Sequence, residues 1–380
     1  MEKLHAIIDE AVKQGSPTYV SPSVASVVVD RNDNLPLSDD AVWWMASQTK
    51  LVTTIAAMQT VEQGLIGLDD DVSEWLPELS TLEILDGIED KNAIPQVRPR
   101  TNNITLRLLL SHQSGVGYDI LNPEVIHWKT RRGLTSGTMD GSLASMRETP
   151  LLFEPGTNWS YGMGIDWAGE LVSRIHGIKL DKYMQKHIFG PLGMISSTFH
   201  PEFRGLLDKI PECYARDPIS GDLTAVPLPF NLPAREDCGG HGLFSTIGDF
   251  AKLLGAILSG GGSVLTRESV DQIFSPQLNH PPHLSRWAYE EYKPIIAPAI
   301  PKGLKIDHGL GGLINMESIR GRRSEGSLQW LGMVNQFWWI DPKAGIAGSV
   351  FFNLWPTGDA RAWNHHMEFE KEVYSLFKNQ

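Results

Sequence analysis

Apolar residues recur along the chain in two rhythms, and each predicts a kind of element. In "MEKLHAIIDEAVKQG", Leu4, Ile7, Ile8 and Val12 follow the 3.6-residue period of an amphipathic helix. "SVASVVVD" (Ser23–Asp30) is β-branched and reads as a strand. From Ser47 to Gln63 the helical rhythm returns through Leu51, Ile55, Met58 and Val61, a buried stripe. Gly64 then stands where a left-handed helix stop belongs. Between Asp69 and Asp237, Pro-rich loops alternate with helical stretches such as "LTSGTMDGSLASMRETP" and "DWAGELVSRIHG". "GLFSTIGDFAKLLGAILSGGG" (Gly242–Gly262) is a strongly amphipathic helix, with Thr246 and Asp249 spaced as a capping box. Two strand-like runs follow, "NQFWWIDP" and "GIAGSVFFNLW", joined by Lys343-Ala344-Gly345, and a last helix covers Ala362–Lys378. Strands near both ends with helices between them predict an α/β (α+β) protein. One sheet domain is expected from residues 1–68 and 242–380, with a mainly helical lobe from residues 69–241.

Composition narrows the function classes. The chain has 380 residues, 41% of them hydrophobic, enough for a large buried core. A net charge of −12 argues against a nucleic-acid binder, which would carry a basic face. Two short basic runs, "WKTRR" (Trp128–Arg132) and "RGRR" (Arg320–Arg323), read as solvated loops. Cys213 and Cys238 supply neither a disulfide framework nor a zinc spacing. No stretch approaches the roughly 18 apolar residues of a membrane span, and the N-terminus lacks the features of a secretion signal. A cytoplasmic protein without membrane contact is therefore expected. The 12 tryptophans should be core or pocket wall.

The chain has no G-x-S-x-G elbow, H-E-x-x-H, Walker loop or Rossmann fingerprint. The glycine runs Gly260–Gly262 and Gly309–Gly312 lack the strand-then-helix context of a phosphate loop and read as turns or close packing. What remains is Ser47-Gln48-Thr49-Lys50. Residues three apart share a helix face, so Lys50 can reach the Ser47 oxygen. A lysine acts as a base only when uncharged, a state that an apolar wall favours. The same spacing at Ser375–Lys378 falls late in the terminal helix and is chance. In "FEPGTNWSYGMGIDWAGELV", Tyr161 stands between a Pro-Gly turn and a helix start, where a phenol can point into a cleft and relay a proton. In "RRSEGSLQWLGMVNQFWWIDPKAG", Gly332 beside a strand allows close backbone approach. The N–H groups of Met333 and Ser47 could then form the donor pair that acyl transfer needs for its oxyanion.

In this order, the three stretches resemble the serine β-lactamase/penicillin-binding superfamily, in particular its class C-like esterase and transesterase branch. Its S-x-x-K motif matches at Ser47 and Lys50, its tyrosine at Tyr161 and its third motif at Trp330-Leu331-Gly332. "ITLRLLLSHQSGV", "LDDDVSEWLPEL", "IFGPLGM" and "GGHGLFSTIGDFAKLL" add support. "YGMGIDWAG", "HGLGGLI" and "FFNLWP" are similar to segments of fungal acyltransferases of secondary metabolism. The resemblance covers nearly the whole chain. It implies an antiparallel sheet flanked by helices, a helical second lobe and an active site between them. It also implies an acyl-Ser47 intermediate formed without cofactor or metal. The donor would be a thioester or ester, and the acceptor an alcohol (acyltransferase) or water (esterase or thioesterase). A catalytically silent member that only binds a ligand is the alternative of another class.

Departures from the family pattern sharpen the expectation. Met163 replaces the usual asparagine two residues after the tyrosine, and the third motif lacks the lysine with which β-lactamases hold a substrate carboxylate. Leu331 and Met333 stand where the fungal acyltransferases have small glycines, predicting a bulkier pocket rim. Ser47 follows Asp30 by only 17 positions, so an edge strand is expected to be missing or the entrance more open. Tyr118, Trp330, Gly332, Trp338, Trp355 and His241 are expected around the substrate pocket. His112 reads as a structural helix-end histidine, and His365 and His366 as surface residues. Arg131 and Arg132 would suit an acidic acyl-carrier protein.

Overall fold

The computed structural model describes residues 18–20, 25–27, 40–86, 95–134, 144–147 and 149–377. The expected N-terminal helix lies outside them, as do most of the Asp30–Ser47 connection and of "LTSGTMDGSLASMRETP". Short antiparallel pairs are β1 (Thr18–Val20) with β2 (Ala25–Val27), β4 (Ile84–Leu85) with β5 (Val97–Arg98), and β6 (Cys213–Arg216) with β7 (Leu223–Val226). β3 (Trp43–Trp44) pairs with β8 (Phe244–Ser245), joining the segment before Ser47 to the second half of the chain. The main sheet is an antiparallel meander of β9 (Ile306–His308), β10 (Leu313–Asn315), β11 (Leu328–Gly332), β12 (Gln336–Asp341) and β13 (Ile346–Val350). Hairpin β1–β2 lies alongside β13, at the sheet's outer edge.

The longer helices are α1 (Thr49–Glu62), α2 (Pro123–Arg131), α3 (Gly164–His176), α4 (Ile247–Leu258) and α5 (Ala360–Phe377). α1 is buried from Thr49 to Thr60 rather than along one stripe. It runs through the middle of the molecule, and a helix covered on every side needs no polar face. Thr246 Oγ1 accepts the Asp249 N–H at the start of α4, but the other half of the expected box is missing. The Asp249 carboxylate instead accepts Ser196 N–H and pairs with Lys252.

Alternation along β12 places side chains in two cores, as a period of two requires. Trp338 and Ile340 join a large cluster with Leu51 and Ile55 of α1, Ile165 and Leu171 of α3, and Leu253 of α4. Phe337 and Trp339 point the other way, onto Phe369 and Tyr374 of α5. Burial of both sheet faces explains why all six residues of β12 are inaccessible. The residue blocks expected as separate lobes share the larger core, which also takes in Leu109 and Leu180. No described helix is long and apolar enough to cross a membrane.

Both basic runs depart from the expected solvated loops, because each meets a buried counter-charge, ten residues back for one and in a separate element for the other. Lys129 is buried in the last turn of α2 against Asp119 at 2.9 Å, leaving Arg131 and Arg132 exposed. Arg322 and Arg323 are buried under α5, where Glu370 lies 2.8 Å from Arg323 Nε and 3.4 Å from Arg322 Nη1. His366, expected at the surface, is buried beside the same carboxylate at 3.5 Å, and His365 is half-buried.

Candidate active site

Ser47 lies on the tight turn Ala46–Gln48 that leads into α1. Ala46 holds φ at +44°, a conformation that costs an L-residue on the order of 1 kcal/mol or more. Tertiary bonds impose it. Met45 N–H donates to Leu243 O at 2.8 Å, and Thr49 Oγ1 to Ala46 O at 2.6 Å. From β12, Gln336 Nε2 donates to Trp44 O, and Gln48 Nε2 donates to Gln336 Oε1, both at 3.0 Å. Gly332 makes this approach feasible: a Cβ there would lie 2.4 Å from Gln336 Oε1 and 3.1 Å from Met45 O.

One helical turn on, Lys50 is 1% exposed. Its Nζ donates to Ser47 Oγ at 3.2 Å, to Tyr118 Oη at 2.9 Å and to Gly240 O at 2.9 Å. Tyr161 Oη is hydrogen-bonded to Ser47 Oγ at 2.6 Å and accepts Trp330 Nε1–H at 3.3 Å. Tyr161 and Tyr118 meet because their loops touch without side chains between them. A Cβ on Gly162 would lie 1.9 Å from Val116 O, and Tyr118 N–H donates to Tyr161 O. Serine, amine and two phenols thus form one hydrogen-bonded group.

Behind this group lies Asp166, fully buried in the first turn of α3. Its carboxylate accepts Gly240 N–H at 2.8 Å, contacts His241 Nδ1 at 3.2 Å and takes a long bond from Tyr118 Oη at 3.5 Å. Burial pushes this carboxyl up, but His241, Lys50 and the Gly240 N–H outweigh it and hold it below its ordinary value. Burial, with Asp166 and Tyr161 alongside, pushes the Tyr118 phenol well above its ordinary value, so Tyr118 stays protonated. His112, at φ +60° just past a short helix, packs on Tyr161 at 4.9 Å. Burial, followed by His308 and Lys50, holds it well below its ordinary value, so it is a neutral wall. Asp166, Cys238 and His241 are the described residues that could ligate a metal, their ligand atoms all within 4.8 Å of one another. The Asp166 oxygens are already engaged as above.

Ser47 opens into an apolar pocket of about 170 Å³, with Tyr118, His241, Trp355, Leu331 and Met333 in its walls. The last two are the residues expected at its rim. Three expected pocket residues lie elsewhere. Trp338 faces the core because of its parity on β12, Trp330 stands behind Tyr161 as a hydrogen-bond donor, and Gly332 is packed against Met45 and Gln336.

A family model described as Beta-lactamase matches residues 7–370. The chain belongs to the β-lactamase family. Within it, the chain is 37% identical over 320 residues to a lovastatin esterase of Penicillium rubens, covering 82% of this chain and 79% of that one. It is 35% identical over 349 residues to monacolin J acid methylbutanoyltransferase of Aspergillus terreus, covering 90% and 84%. In structure it superposes on unliganded simvastatin synthase from Aspergillus terreus with a TM-score of 0.88, at 30% identity and 100% and 99% coverage. It is therefore an enzyme of the acyltransferase and esterase branch of the β-lactamase family. Asp166, Gln48 and Gln336 escaped the sequence reading. Asp166 lies within "YGMGIDWAG" with nothing local to mark it, Gln48 fills a variable position of S-x-x-K, and Gln336 belongs to no motif.

Proposed function

We propose that this enzyme transfers an acyl group from a thioester or ester to an alcohol on a secondary metabolite, through acyl-Ser47, in the cytoplasm. Ser47 Oγ attacks the donor carbonyl, and its proton passes to the Tyr161–Lys50 pair. The N–H groups of Ser47 and Met333 hold the oxyanion. Collapse expels the leaving group, which takes up the proton. The acceptor hydroxyl then attacks the acyl carbonyl and loses its proton to the same pair, which returns it to Ser47 Oγ as the second collapse releases the serine. The observation that carries this reading is Ser47 Oγ lying 2.6 Å from a phenol and 3.2 Å from a buried amine at the mouth of an apolar pocket. The small pocket suits a short acyl chain.

Hydrolysis uses the same apparatus with water as acceptor, and the similarity to an esterase favours it as second reading. Incubation with a p-nitrophenyl ester, followed by mass spectrometry, tests the intermediate. An acyl adduct on Ser47 that an added alcohol discharges into a new ester supports transfer. No adduct on folded protein would mean a ligand-binding member. Exposed Arg131 and Arg132 would meet an acidic acyl-carrier protein, and unchanged transfer from a carrier-bound donor after charge reversal would remove that partner.

A further inference from the structure

Next to the apolar pocket is a second cavity, larger and of opposite character. It measures about 440 Å³, against about 170 Å³ for the pocket at Ser47. Only the larger one falls in the range of roughly 300–1,000 Å³ typical of small-molecule sites. Leu121 lines both cavities, and its carbonyl accepts the Tyr292 hydroxyl at 2.7 Å. The two are linked again through the chain: Ser160 lines the polar cavity and the next residue, Tyr161, lines the apolar one. The two cavities therefore meet at Leu121, and the wall of the polar one runs on in sequence to the Tyr161 of the Ser47 proton relay.

The polar walls carry hydrogen-bonding groups, and their charges leave one carboxylate in excess. Arg286 is paired with Glu291 at 2.7 Å, and His283 and Glu124 stand in the same lining. Ser160 is 3% exposed and its Oγ has no partner among the described residues. An unpaired buried hydroxyl is a cost that a bound partner would offset. Asn158 lies two residues away in the same wall.

We infer that this polar cavity is the acceptor subsite, and that it takes a neutral alcohol bearing several further hydroxyl groups. Resting on the acyl-Ser47 reading, the inference divides the substrate. The acyl chain fills the apolar pocket, and the polyol lies across Leu121 with one hydroxyl reaching the acyl carbonyl. With Arg286 already paired to Glu291 and Glu124 left over, no cation is free to hold an anion, and a neutral polyol fits the remaining hydrogen-bonding groups.

The test uses the whole chain, p-nitrophenyl butyrate as donor, and two acceptors that differ only in hydroxyl count, cyclohexanol and 1,2,3-cyclohexanetriol. Wild type should use the triol with the lower KM. Ser160→Ala, which removes a hydroxyl that has no partner to lose, and Asn158→Leu should each raise the triol KM by about three- to tenfold. Both should leave the cyclohexanol KM and the acylation burst unchanged. A wild type indifferent to the extra hydroxyls would overturn the assignment. So would variants that slow both acceptors equally or neither. Failure of the underlying reading looks different, because then no burst and no Ser47 adduct form with any acceptor.

Discussion

Replacing Tyr161 by Phe removes one oxygen and tests the proton relay directly. That oxygen makes the shorter of two contacts to Ser47 Oγ, 2.6 Å against 3.2 Å for Lys50. If the serine proton leaves along the shorter bond, its loss forfeits general-base assistance, typically 10²–10⁴-fold or about 3–5 kcal/mol of barrier. The ring remains, with its packing on His112, Tyr118 and Trp330 at 4.9–5.2 Å. The stability cost should be confined to Trp330 Nε1–H, whose described partner is that oxygen, on the order of 1–3 kcal/mol. For 380 residues, at about 2.1 cal/mol/K each, the unfolding entropy is roughly 0.8 kcal/mol/K, so Tm should fall by about 1–4 °C. Tyr118→Phe is the control, since its oxygen touches Lys50 but is one link removed from Ser47. It should slow acylation by about tenfold or less. Stopped-flow release of p-nitrophenol measures the acylation rate, with adduct mass as a check. A Tyr161→Phe enzyme acylating within tenfold of wild type, while Tyr118→Phe is the slower, would reassign the base.

Other consequences are also accessible. Glu370→Ala strands the buried Arg322 and Arg323 without their carboxylate and should cost about 3–5 kcal/mol in urea unfolding; a loss below about 1 kcal/mol would show that the network contributes little. Burial, with Lys50 nearby, holds His308 down at about 4, so the folded state resists its protonation while the unfolded chain accepts it near 6.5. Its contribution, on the order of 3 kcal/mol, is complete above pH 6.5 and declines as pH falls towards 4. The urea midpoint should therefore be lower at pH 5 than at pH 7, with a shallower dependence in His308→Leu; an identical dependence in the variant would exclude His308 as a source. Met333→Ala, at a half-exposed rim position, should move the preferred acyl chain to greater length in a p-nitrophenyl ester series at little cost in stability. An unchanged chain-length profile would place the acyl group elsewhere.

Much of this was legible in the sequence because local signals and fold agreed. Gly64 ends α1 at φ +69°, and Thr246 starts α4, where the patterns put them. Serine, lysine and tyrosine were readable because a motif fixes the first two on one helix turn and the third beside a glycine that permits loop contact. Less legible was whatever depends on a partner distant in the chain. Arg322 and Arg323 looked solvated because Glu370 belongs to another element. Trp338 and Trp330 looked like pocket walls because composition does not reveal strand parity. The second cavity had no signature, since its walls come from four separate segments.

The clamp of Gln336 on Trp44 O and Gln48 spans some 290 positions of sequence. During synthesis Ser47 and Lys50 leave the ribosome some 290 residues ahead of the strand that fixes their turn. A nascent chain therefore carries its nucleophile without the geometry to use it. Acylating power should appear abruptly, only once the β12–β13 hairpin has been made and docked, and fragments ending before β12 should be inert towards active esters.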